Sequence, residues 1–171
     1  MRSRTFSVCA ALLCWLPLGG CGVYSFTGAD TGLAETIQVR TFLDDAGTGP
    51  SNLAINFTES LREFYQRNTD LGILIEEPGD LLLEGEIVGY ELSPVAPQGG
   101  DDEAAAQNRL TLTVSVNYVN TLESDKDFES RFSAYEDFPQ NQDLSTVEQV
   151  LIEELSERII LDIFNKSVAD W

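Results

Sequence analysis

The sequence predicts an α+β fold, a two-layer sandwich with two helices packed on one face of a mixed four- or five-stranded sheet. Three observations carry this reading. Two stretches, one starting at Ser51 and one at Ser145, place apolar residues three and four apart, the period of an amphipathic helix. Several others alternate apolar and polar side chains, as half-buried strands do. The order is one strand, a helix, three or four strands and a final helix, and two one-sided helices need a sheet face to cover. The opposite sheet face is then left to water or to a partner.

Taken in order, Glu35–Phe42 reads as a strand with Ile37 and Val39 on one face, and Leu43–Pro50 as a loop. Ser51 is an N-cap candidate. Leu53, Phe57, Leu61 and Phe64/Tyr65 form the buried stripe of a helix ending near Asn68, with Glu59, Arg62, Glu63 and Arg67 facing away. Leu71–Glu76 is a short strand, closed by Pro78-Gly79-Asp80. Leu81–Val95 is a long strand that alternates imperfectly, with Glu84 and Glu86 on one side and Gly85 and Gly89 on the other; glycines there suggest a bend or a close approach. Pro94–Asn108 is a long acidic loop. Leu110–Asn120 alternates cleanly, with Leu110, Leu112, Val114, Val116 and Tyr118 on one face. After a polar turn at Glu123–Asp127, Phe128–Phe138 returns as its hairpin partner, with Phe128, Phe132 and Ala134 on one face. Ser145 and Glu148 have the spacing of a capping box. Val147, Val150/Leu151, Leu155, Ile159 and Ile163 give the last helix its stripe, widened by Ile160, Leu161 and Phe164.

The N-terminus reads differently. Arg2 and Arg4 precede an apolar run from Val8 to Leu18, the layout of a secretory signal and too short to span a membrane. The run ends in Leu18-Gly19-Gly20-Cys21, which resembles the bacterial lipobox. The resemblance implies cleavage before Cys21 and acylation of its thiol and new amine. Three chains would anchor the protein firmly, since each buried CH₂ adds about 0.8 kcal/mol. The chain therefore divides into a lipoprotein signal peptide at 1–20, a lipidated tether at 21–34 and a single α+β domain at 35–171.

Composition narrows the function. The net charge of −19 becomes −21 once Arg2 and Arg4 leave with the signal, which argues against nucleic acid as a partner. Cys9 and Cys14 fall in the signal and Cys21 is taken by lipid, so the mature chain forms no disulfide. Its 43% hydrophobic residues must supply an ordinary core. The absence of histidine, with no free thiol, excludes Cys–His and Ser–His–Asp chemistry. No cofactor or metal site is expected: Asp101-Asp102-Glu103 lacks the spacing of a calcium loop. Glu84 and Glu86 share a strand face about 7 Å apart, a separation that inverting glycosidases use, but a solvated strand face is the plainer reading. Asn56-Phe57-Thr58 matches a glycosylation sequon inside a helix and is discounted.

Cys21-Gly22-Val23-Tyr24-Ser25-Phe26-Thr27-Gly28 resembles the start of mature LptE-type lipoproteins of the Bacteroidetes type. Glu84-Gly85-Glu86-Ile87-Val88-Gly89-Tyr90, Asn108-Arg109-Leu110-Thr111-Leu112 and Ile163-Phe164-Asn165-Lys166 extend the likeness over the mature chain. The resemblance implies a non-enzymatic outer-membrane lipoprotein, lipid-anchored and facing the periplasm or the barrel lumen. It implies partnership with an LptD-like β-barrel in assembling lipopolysaccharide and delivering it to the outer leaflet, with lipopolysaccharide itself as a further partner. The chain departs from the enterobacterial members, which are linked to lipopolysaccharide through basic residues. Here Asp101, Asp102 and Glu103 would repel phosphorylated lipid A unless divalent ions bridged them. Two alternatives stand beside this reading: a lipid-anchored structural or carrier lipoprotein without a barrel, and, more weakly, a surface-bound hydrolase. Aromatic residues supply the partner-contact candidates: Tyr24 and Phe26 in the tether, and Tyr90 and Tyr135 on the open sheet face.

Overall fold

The computed structural model describes residues 31–95 and 106–168. Cys21, Tyr24, Phe26, the acidic triplet at 101–103 and Trp171 lie outside the described residues. The elements are β1 (Thr36–Val39), β2 (Leu43–Asp44), α1 (Leu53–Asn68), β3 (Gly72–Leu74), β4 (Leu81–Val95), β5 (Gln107–Asn120), β6 (Phe128–Pro139) and α2 (Leu144–Val168). They form the expected sandwich: two helices on one face of a mixed sheet ordered β3-β1-β4-β5-β6, with β2 also on β4. β1 runs parallel to β3 and β4, β2 parallel to β4, and β4, β5 and β6 are antiparallel. The strand count is six because the first strand is broken and its second piece lies in the expected loop. β1 meets β4 at Val39↔Leu83 and β2 rejoins it at Leu43↔Glu86, so three residues sit opposite two.

That break explains a misreading of α1. Arg62 does not face away. Its guanidinium Nε and Nη2 donate to the Val39 carbonyl at 3.2 and 2.8 Å, and Thr58 Oγ1 accepts the Phe42 N–H at 3.0 Å. The helix thereby satisfies backbone groups that the broken strand leaves without a sheet partner. Leu53, Phe57, Leu61 and Tyr65 are buried as predicted. The N-cap is Asn52 rather than Ser51, and it makes no side-chain cap bond. The chain enters instead through the Leu53 N–H bonded to the Pro50 carbonyl at 2.9 Å.

Two further corrections concern β4 and α2. β4 carries a bulge: Ile87 pairs with Val114, Gly89 with Thr113, and Val88 has no opposite. The extra residue reverses the alternation. Leu81, Leu83, Gly85 and Ile87 face the helices before it and Tyr90 after it, so Gly85 and Gly89 lie on opposite faces. The capping box does not form, because α2 begins at Leu144 and takes Ser145 into its first turn. Glu148 Oε1 instead accepts the Tyr90 hydroxyl at 2.6 Å. Leu151, Leu155, Ile159, Ile160, Ile163 and Phe164 are buried, while Val150 and Leu161 point outward.

The core is continuous. All of Leu110, Leu112, Val114, Val116 and Tyr118 are essentially inaccessible, and Phe128, Phe132 and Ala134 of β6 pack at its margin. α2 lies over β5 and β6, and α1 over β2 and β3. Tyr65 joins the helices, its hydroxyl 2.5 Å from Ser167 Oγ, and burial pushes its pKa far up, so it stays neutral.

Candidate functional site

The helix-covered face has no vacancy for a partner, which leaves the other face of the sheet. Side chains alternate, so pairing register alone assigns it: Glu84, Glu86, Gly89 and Glu91 from β4, Arg109, Thr111, Thr113, Ser115 and Asn117 from β5, and Glu129, Arg131, Ser133, Tyr135 and Asp137 from β6. None of these residues is buried. The face is polar, as the threonine and serine positions of β5 predicted.

Its contacts fall into three zones. Near the turn between β5 and β6, Glu84 is held by Arg40 Nη1 at 2.7 Å and by Asn117 Nδ2 at 3.1 Å. Glu84 and Glu86 do share the face, and Glu84 is held there as the acceptor of both bonds. In the middle, Gly89, Thr113 and Ser133 lie side by side across three strands, the two hydroxyls 3.0 Å apart. This row is low and flat. At the far end stands the most ordered feature. Arg109 donates to both carboxylate oxygens of Asp137, at 2.7 and 2.9 Å, and its guanidinium carbon lies 3.7 Å from the centre of the Tyr135 ring. The Arg109 guanidinium holds the Asp137 carboxyl below the usual carboxylate range, and Asp137 in turn raises Arg109. Tyr135 thus rests on a fixed planar cation while remaining 53% exposed.

The structure separates the two tyrosines the sequence paired. Tyr135 is on the open face, as expected. Tyr90 is not: the bulge at Val88 turns it under α2, where it is buried and bonded to Glu148. Tyr24, Phe26 and Cys21 lie outside the described residues. Sequence reasoning missed Arg109 and Asp137 as a pair. The turn did not betray the register: a hairpin centred on Glu123–Asp127 would set Arg109 opposite Asn141, whereas the observed pairing, with Tyr118 opposite Phe128, is centred two residues earlier.

A second concavity runs between α1 and α2 on the outer side of the helix layer. Glu59, Glu63, Arg67, Glu153 and Glu157 rim it, above half-buried Phe64 and Ile152. Its carboxylates disfavour phosphate-bearing ligands.

A small two-layer domain that leaves an ordered, polar, aromatic-tipped sheet face uncovered has the form of a binding module. The family comparison makes this specific. The family described as LptE, lipopolysaccharide-assembly, matches residues 34–167, and the chain belongs to it. Comparison with curated proteins found no match. Among solved structures, the hypothetical protein CT253 from Chlamydia trachomatis is similar, with TM-score 0.53 and 10% identity over 80% of this chain and 100% of that one. Protein XCC0632 from Xanthomonas campestris gives TM-score 0.51 and 7% identity over 77% and 82%. A minor lipoprotein from Acinetobacter baumannii gives 0.43 and 13% over 78% and 95%. At such identities the first two show the fold alone. Among the described residues no helix is long and apolar enough to cross a membrane.

Proposed function

We propose that this chain is a non-enzymatic, lipid-anchored lipoprotein of the outer membrane that partners an LptD-type β-barrel in lipopolysaccharide assembly. Membership of the lipopolysaccharide-assembly family over residues 34–167 carries the reading. The Leu18-Gly19-Gly20-Cys21 sequence supports acylation at Cys21. The uncovered sheet face supplies a surface for the barrel, and Tyr135 is the contact we assign there. Tyr24 and Phe26 are further contacts, near the anchor. Tyr90 has no part in this surface. Direct capture of lipopolysaccharide phosphate is the lesser role, because Arg109 is already neutralised by Asp137 and the helix groove is acidic.

Affinity purification from native membranes in mild detergent tests the assembly. A large barrel recovered in near-equal amount is the expected result. Recovery of the lipoprotein alone, under conditions that preserve other barrel complexes, would favour a carrier without a barrel. A photoreactive residue at position 135 should crosslink to the barrel, whereas one at Val150, on the outer side of α2, should not.

A further inference from the structure

At the end of the sheet where β1 and β4 begin and β5 ends, two loops meet. Asp80 joins them. Its carboxylate accepts the Glu35 and Thr36 backbone N–H groups, each at 3.0 Å, and the Thr36 hydroxyl at 2.9 Å. Its carbonyl accepts the Thr121 N–H at 2.9 Å and the Thr121 hydroxyl at 2.7 Å. Just before the first loop's anchor, the Ala34 N–H closes a turn onto the Thr31 carbonyl at 3.0 Å, with Gly32 at φ +57°, a conformation that favours glycine. Just after the second anchor, the Leu122 and Glu123 N–H groups both bond to Asn120 Oδ1, at 3.0 and 2.9 Å. The turns touch: a methyl group on Gly32 would come within 2.9 Å of Glu123 Oε1.

Each turn holds a leucine outward. Leu33 is 85% exposed, the highest value among the exposed large apolar residues of the described chain, and Leu122 is 48% exposed. Scattered apolar residues on a surface need no explanation. These two are fixed at one tip, by backbone hydrogen bonds, on loops tied to a single aspartate. The tip is also where the chain leads back to Cys21. Ten residue steps lead from Thr31 back to Cys21, a reach of at most about 35 Å. Glu35, Glu123, Asp125 and Asp127, together with Lys126, lie in or next to the same two loops.

We infer that Leu33 and Leu122 form an apolar foot that rests in the lipid interface of the leaflet holding the anchor, with the neighbouring carboxylates in water. The inference rests on acylation of Cys21. The foot gives the domain a fixed standing direction that an acyl anchor on a tether alone would not impose.

The test uses the full-length lipidated protein in phosphatidylcholine vesicles, with Leu33→Cys or Leu122→Cys labelled by an environment-sensitive fluorophore. The mature chain's native thiol is acylated, so labelling is specific. Val150→Cys and Ile55→Cys, exposed on the helices, are the references. Labels at 33 and 122 should shift to the blue and be quenched several-fold more by a nitroxide near the headgroup than labels at 150 and 55. A nitroxide deep in the acyl region should quench them less. Equal quenching at all four positions, with acylation verified by mass spectrometry, would overturn the foot and leave the lipoprotein reading intact. Blue-shifted labels without nitroxide quenching would assign the tip to protein contact and overturn it equally. An unacylated Cys21 would remove the foot and the anchor together.

Discussion

Gly85 shows how tightly single residues constrain this sheet. A Cβ there would sit 2.2 Å from the Ser115 carbonyl oxygen and 2.6 Å from the Phe42 ring. Neither can yield cheaply, so Gly85→Ala should cost about 2–3 kcal/mol and lower Tm by several degrees, as a thermal melt would show. The sequence marked Gly85 as a bend or a close approach but could not choose between them or name Phe42, whose position depends on the broken first strand. Arg62 has the complementary role of satisfying backbone. Arg62→Met keeps the aliphatic stem but leaves the buried strand break short of donors, and should cost about 1–3 kcal/mol in urea denaturation. The pH dependence is also set by individual residues. Backbone and hydroxyl hydrogen bonds hold Asp80 below its usual pKa, and the Arg109 guanidinium does the same for Asp137. The folded state therefore binds fewer protons than the unfolded one. This contribution is present above the unfolded carboxylate value near pH 3.9 and is lost as pH falls through the lower folded values. An Asp80→Asn/Asp137→Asn variant should be less stable at pH 7 and show a shallower acid limb when urea midpoints are followed down in pH.

Elements differ in how plainly their sequences declare them. From Leu110 to Asn120, β5 was legible residue by residue because each side chain obeys one alternation and one face is wholly buried; its first three residues, Gln107–Arg109, are polar and carry no such signal, so the expected loop ran two residues into the strand. The stripe of α1 was legible for the same reason at a different period. β4 was legible as a strand but not as two half-faces. Its Val88 bulge reverses the parity, and local sequence shows only an imperfect pattern that several registers would fit. The error about Tyr90 follows from this one residue. Deleting Val88 should remove the bulge and keep every pairing on either side of it, with Ile87 and Tyr90 on the core face opposite Val114 and Leu112 and Gly89 opposite Thr113. The expected outcome is retention of cooperative unfolding and of the near-ultraviolet circular dichroism signal. Loss of both would show that the local bend of the bulge, and not its register alone, is needed to seat Tyr90. The two-residue β2 was unreadable for a related reason, since a pairing that short depends on what β4 offers beside it. The capping box failed because α2 begins one residue earlier than Ser145, at Leu144, and Glu148 accepts instead from a strand 58 residues away in sequence.

At the scale of the whole molecule, the α+β sandwich was predictable because the two one-sided helices required a sheet, and the family assignment agrees with it. The open face was predictable as polar, but its ordered end was not. The Arg109–Asp137–Tyr135 group is visible only once β5 and β6 are set in register. If Tyr135 is the partner contact, Tyr135→Ala should weaken recovery of the barrel without changing Tm by more than about 1 °C, since the ring is half exposed. Asp137→Asn, which frees Arg109, should disturb the same contact by loosening the ring's support. Equal barrel recovery by all these variants would move the docking surface elsewhere on the domain.

The β4–β5 hairpin has a dimension that matters to this arrangement. Fourteen residue steps from Leu81 to Val95 extend roughly 45 Å, and a bilayer with its headgroups is roughly 40–45 Å thick. A domain upright on its leucine tip would carry a strand pair as tall as the membrane is thick. The far end of the pair, where Val95 lies opposite Gln107, would then stand about one membrane thickness from the tip, so the hairpin sets how far from the anchored leaflet the domain can reach.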